Sequence, residues 1–135
     1  MKTKKALLLG LIGILTILAI GVFAENNIDL MYNHIMLIKA DLSIAEGKAA
    51  CNSTLRPEPG YTGYLSMKLQ KKNGTKWNSI ANWSAKGSAG EIVSLSKSYT
   101  VNKGATYRVH IYAVIYDKSG NIIESSNANS NSVAY

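Results

Sequence analysis

The chain has 135 residues, with 15 Lys and Arg against 8 Asp and Glu, and a single cysteine. That length supports one domain-sized core and little more. One thiol excludes an internal disulfide, and once the three lysines of the first five residues are set aside the formal +7 falls to +4, too weak and scattered to argue for nucleic acid.

Residues 1–24 open with Met1-Lys2-Thr3-Lys4-Lys5 and run through an apolar stretch to Val22-Phe23-Ala24, the plan of a secretory signal peptide cleaved after Ala24. An uncleaved anchor is the rival reading, since a spanning helix needs about 20 apolar residues. Small residues at the cleavage positions and the polar Glu25-Asn26-Asn27 beyond them favour cleavage. Processing removes Lys2, Lys4 and Lys5, leaving twelve basic residues against eight acidic, a net +4, in a product expected to be extracellular and without a membrane span. The short lysine-rich leader is of a bacterial kind, so the N-x-S/T triplets at Asn52, Asn73 and Asn82 carry no weight as glycosylation sites. Phe23 leaves with the leader. The remaining aromatics are eight Tyr and two Trp.

Residues 25–36 read as an N-terminal extension, and within Asp29–Leu37 the spacing of Leu30, Met31, His34 and Met36 also fits a helical turn. From residue 37 the apolar period is two, which predicts strands. Ile38, Ala40, Leu42 and Ile44 alternate up to a turn at Ala45-Glu46-Gly47. Lys48–Leu55 follows, with Cys51 in phase with Ala49 and Leu55 and read as a small buried hydrophobe. Arg56-Pro57-Glu58-Pro59-Gly60 forms a loop. Leu65, Met67 and Leu69 alternate up to Asn73-Gly74, a hairpin signal, and Trp77–Ser84 returns. Lys86–Gly90 links to Glu91–Val101, Asn102-Lys103-Gly104 turns, and Tyr107–Asp117 is the clearest strand in the chain. Ser119-Gly120 closes it, Asn121–Glu124 starts a last strand, and Ser125–Ser132 reads as a polar edge strand or a frayed tail. The expectation is all-β: a single antiparallel sandwich of about seven strands over residues 37–135.

Gly104-Ala105-Thr106-Tyr107-Arg108-Val109-His110-Ile111-Tyr112-Ala113, with Gly120 after it, resembles the sixth strand of fibronectin type III modules. The resemblance implies that the Tyr107 hydroxyl pins the preceding corner. Gly47-Lys48-Ala49-Ala50-Cys51 similarly resembles the second strand of immunoglobulin-like domains, here without a second cysteine. The chain after the leader also resembles small secreted proteins of Gram-positive bacteria grouped as a family of unknown function. That likeness implies a fold and a compartment and carries over no functional residue.

In such a fold Leu65, Met67, Leu69, Val109, Ile111, Ala113 and Ile115 face inward, and Tyr64, Lys68, Arg108, His110, Tyr112 and Tyr116 face outward. Trp77 and Trp83 depend on hairpin register. A two-residue turn at Asn73-Gly74 sets both rings outside, with Lys71 opposite Lys76 and Ile80 inside. A three-residue loop at Lys72-Asn73-Gly74 turns both rings inward. The candidate binding residues are therefore Tyr64, Lys68, Trp77, Trp83, Arg108, His110, Tyr112 and Tyr116, aromatic and cationic types suited to a cell-envelope polysaccharide or a protein. Tyrosine is also a good strand former with no partner implied.

No catalytic, metal or cofactor site is expected. His34 and His110 are the only imidazoles and lack ligand spacing, no nucleophile elbow or phosphate loop occurs, and Glu46, Glu58, Glu91 and Asp117 read as turn residues. Three functions remain in order: a secreted binding module, a wall- or glycan-directed hydrolase using a carboxylate pair, and a diffusible toxin or antimicrobial factor. The last lacks a second membrane-active segment.

Overall fold

The computed structural model describes residues 32–135. The leader reading for residues 1–24, its cleavage after Ala24, and Asp29, Leu30 and Met31 lie outside the described residues. Eight antiparallel strands follow, in two sheets: β1 (Ile35–Ala45), β2 (Lys48–Pro57), β3 (Thr62–Asn73), β4 (Lys76–Lys86), β5 (Val93–Thr100), β6 (Thr106–Tyr116), β7 (Ile122–Asn129) and β8 (Val133–Ala134). No helix occurs among the described residues. One sheet has the order β1-β2-β5. The other runs β4-β3-β6-β7, and β8 pairs β6 beyond the end of β7. The stretch that also fitted a helical turn is strand from Ile35 onward, and Ser125–Asn129 is paired edge strand rather than tail.

Strict alternation decides which residues meet between the sheets. Leu42, Ala49, Cys51, Leu55, Val93 and Leu95 from the three-stranded sheet share one core with Leu65, Met67, Leu69, Val109, Ile111, Ala113 and Ile115 from the other. Burying such side chains contributes about 1.5–3 kcal/mol for each large one, the main offset to chain entropy in a fold without cross-links. Cys51 is fully buried, and that burial pushes its thiol pKa up to about 11. Ser53 stands in the same inward phase with its hydroxyl buried and without a hydrogen-bond partner. The sheets come close at Gly63, where a Cβ would lie 2.9 Å from Leu55 Cδ2. Glycine leaves room for that leucine.

Turn chemistry sets the registers. Glu46 and Gly47 both hold positive φ, 51° and 77°, between the paired Ala45 and Lys48, as a type I′ hairpin demands. At the next hairpin Asn73 pairs with Lys76 and only Gly74 is left-handed, with φ 63°. The loop is thus Gly74-Thr75, with glycine first as in a II′ turn, one residue later than the expected Asn73-Gly74. The expected facing of Lys71 and Lys76 does not form, and Lys71 pairs with Asn78. Tyr107 Oη donates to the Asn102 carbonyl at 2.8 Å, pinning the corner before β6. Tyr135 ties the same end together, its hydroxyl accepting from Gly47 N–H at 2.7 Å while its backbone bonds Ala105 and Gly104.

Candidate ligand-binding face

The outward side of the four-stranded sheet is a grid set by the ladder. Successive rows read Lys86–Tyr64–Val114–Ser125, Ser84–Ser66–Tyr112–Asn127, Asn82–Lys68–His110–Asn129, Ser79–Gln70–Arg108, and Trp77–Lys72. Tyr116 opposes Thr62 at the near end. Tyr64, Lys68, Arg108, His110, Tyr112 and Tyr116 therefore share one face.

The two tryptophans part company. Ile80 is an extra residue between the pairs Leu69–Ala81 and Gln70–Ser79, a bulge that reverses phase along β4. Trp77 opposes Lys72 on the outward side, whereas Trp83 opposes Met67 on the inward side. Neither expected register holds, because each moved both rings together. Trp83 packs at the rim of the core and meets Tyr99 edge-on, 6.4 Å between centroids at 73°. Trp83 also lines a shallow concavity of about 280 Å³ with Tyr64, Ser66, Asn82 and Ser84.

Polar links hold the outward side chains in place. Arg108 Nε donates to Gln70 Oε1 at 2.8 Å, and the guanidinium carbon lies 4.3 Å from the Trp77 ring centroid. Gln70 Nε2 donates onward to Ser79 Oγ at 3.5 Å. One connected group thus spans β6, β3 and β4. Stacking of a guanidinium on indole contributes roughly 0.5–1 kcal/mol at exposed positions. His110 Nδ1 lies 2.6 Å from Asn129 Oδ1, and Lys86 Nζ sits 4.4 Å above the Tyr116 ring. Tyr112 remains exposed. Val114 is outward in phase yet only 4% exposed, with Tyr64 and Ser125 beside it in the ladder.

Gln70, Ser79, Lys72, Lys86 and Asn129 were not among the candidate binding residues read from sequence. The first four lie on a hairpin whose register no periodic pattern fixes. Asn129 sits in a Ser/Asn run that gives no phase at all.

The loops at one end form a second concavity, about 490 Å³, lined by Pro59, Gly60, Tyr61, Asp117, Lys118 and Ser119. Its carboxylate is already engaged. Asp117 Oδ1 accepts Asn121 N–H and Ser119 N–H, both at 2.9 Å. The Asn121 amide foremost, then the Asn121 side chain and the Ser119 and Gly120 amides, hold this carboxyl below its ordinary pKa against a smaller opposing effect of desolvation. Nearby, Glu58 Oε2 lies 2.8 Å from His34 Nδ1, and His34 lies against Tyr61 with ring centroids 4.5 Å apart. Glu124 accepts the backbone N–H groups of Asn33 and His34, one on each oxygen at 3.0 Å. Glu58, Asp117 and Glu124 each fasten a turn or the first strand.

Fold and face together define an all-β domain of two antiparallel sheets, one of which presents an aromatic and cationic exterior. No family model matches the chain, and no curated protein matches it in sequence. Among solved structures it is similar to the crystal structure of Spo0M, a sporulation control protein from Bacillus subtilis. The identity is 10%, the TM-score is 0.39, and the match covers 73% of this chain and 49% of that one. This chain spans about half the length of that protein.

Proposed function

We propose that the chain is a secreted bacterial binding module, a fibronectin type III-like sandwich that holds a cell-envelope glycan against the outward side of its β4-β3-β6-β7 sheet. The observation that carries this reading is the linked group Trp77–Arg108–Gln70–Ser79. It fixes an indole, a guanidinium and an amide on one surface before any ligand arrives, and fixing side chains in advance lowers the entropy cost of binding. Exposed Tyr112 and the concavity beside Tyr64 and Trp83 extend the surface. Sheet order β1-β2-β5 against β4-β3-β6-β7 and the Tyr107–Asn102 hydrogen bond support the fibronectin type III likeness. Engagement of Glu58, Asp117 and Glu124 in structural contacts supports binding over carboxylate catalysis.

The test is retention of the protein on purified Gram-positive cell walls, with backbone amide shifts mapped by NMR on soluble wall fragments. Shifts should gather on β3, β4 and β6, and the double substitution Trp77→Ala with Tyr112→Ala should weaken retention roughly tenfold or more, the scale of one hot-spot loss. Shifts gathered on β1, β2 and β5 would overturn the assignment of the face.

A further inference from the structure

We infer that the ligand of this face is an acidic polysaccharide, such as a polymer of uronic acids. The inference rests on the reading of this sheet as the binding face and adds the charge of what it binds. Lys68, Lys72, Lys86 and Arg108 all stand on the outward side, and no Asp or Glu occurs anywhere in β3, β4 or β6. The single carboxylate of β7, Glu124, is in the inward phase opposite Ile115 and is occupied by Asn33 and His34. The ion pairs His34–Glu58 and Lys39–Asp41 both lie elsewhere. Charge on the face is therefore of one sign. Solvated like charges repel across a sheet, and a face that gathers four without a counter-charge is complementary to an anion.

The three lysines stand well apart along the face. Lys86 stands in the row of Tyr64, Lys68 four residues further along β3, and Lys72 four beyond that. At about 3.3 Å per strand residue, these rows lie roughly 13 Å apart. Between the first two is the uncharged row Ser84–Ser66–Tyr112–Asn127, and between the second and third the row Ser79–Gln70–Arg108. A polymer lying along the strands meets cation, hydroxyls and amides, cation, guanidinium, cation. A carboxylate-bearing chain of sugar rings offers acid groups to the cations and hydroxyls to the Ser and Asn positions between them. Its apolar ring faces find Tyr64 and Tyr112.

The experiment measures binding of the protein to polygalacturonate, alginate and hyaluronan, to the fully methyl-esterified, uncharged form of polygalacturonate, and to a single-stranded DNA oligonucleotide. At least one uronate polymer is expected to bind, with affinity falling as salt rises and roughly tenfold weaker binding of the uncharged ester. The double substitution Lys68→Gln with Lys86→Gln should weaken uronate binding roughly tenfold, while Lys48→Gln with Arg56→Gln, on the other sheet, should change it less than about twofold. Equal binding of acid and ester forms would overturn the charge inference and leave the glycan-binding face standing. Stronger binding to DNA than to every uronate would overturn the choice of polymer. Failure of every polymer, charged and uncharged, by a protein with an intact β-sheet circular dichroism spectrum would overturn both readings.

Discussion

The two sheets face water with different equipment. On the outward side of β1-β2-β5 the ladder sets Lys39, Thr54 and Ser94 in one row, Asp41, Asn52 and Ser96 in the next, then Ser43, Ala50 and Ser98. Lys39 Nζ lies 3.4 Å from Asp41 and Ser96 bonds Asn52 at 2.7 Å, while Lys48 and Arg56 stand outward near the two ends of β2. Outward positions of β4-β3-β6-β7 hold Trp77, Tyr64, Tyr112, Tyr116 and His110, with four cations and no carboxylate on β3, β4 or β6. Both sheets complete one core through their inward residues, so folding asks the same of each. The small polar exterior shows what suffices for solubility. The aromatic and cationic exterior exceeds it, and the excess is where a ligand reading belongs.

The largest effect that could break this comparison lies on adjacent residues of β6. Ile111→Ala should cost about 2–5 kcal/mol in urea unfolding, because it opens a cavity at a fully buried position. Tyr112→Ser, one residue along and outward, should stay within about 1 kcal/mol. Comparable losses would show that the outward side is structural after all. Gly63→Val should cost about 1–3 kcal/mol by pushing against Leu55 where the sheets approach. An unchanged midpoint would mean that the sheets separate freely there.

Cys51 sharpens the comparison from below the polar sheet. Its thiol should be silent to an aqueous disulfide reagent until the protein unfolds. Its pKa rises in the folded state from 9.0 to about 11, so the unfolded chain gives up the proton first. The associated stability is present below pH 9 and drains away as pH climbs toward 11. Comparison with Cys51→Ala should show a steeper alkaline decline for the native protein. The smallest effect belongs to Glu46, the one non-glycine residue with positive φ among those described. Glu46→Asn should raise stability by about 0.5–1 kcal/mol, since asparagine accepts that conformation more readily.

How far the sequence speaks differs by strand. Along β6 every second residue is apolar without interruption, so both its faces were legible, whereas the Tyr107 corner came only from the resemblance to fibronectin type III modules. The inward set of β3 followed from the same alternation. The β4 face was not legible, because Trp77 and Trp83 are six residues apart and an even spacing puts both on one side of any regular strand. The inserted Ile80 breaks that parity, and the one-residue shift to Gly74-Thr75 compounds it. Neither leaves a mark in a pattern of period two. The clamp of Glu124 on Asn33 and His34 joins residues about ninety positions apart, a distance over which periodicity carries no information.

The irregularity at Ile80 has an effect on solution behaviour too. β4 is a border strand, and an uninterrupted border offers its free amides and carbonyls as a template on which a stranger's strand can zip. An additional residue kinks that template midway, and lysines at 76 and 86 guard its ends with repelling charge. Concentrated solutions should therefore resist fibril-like growth along β4.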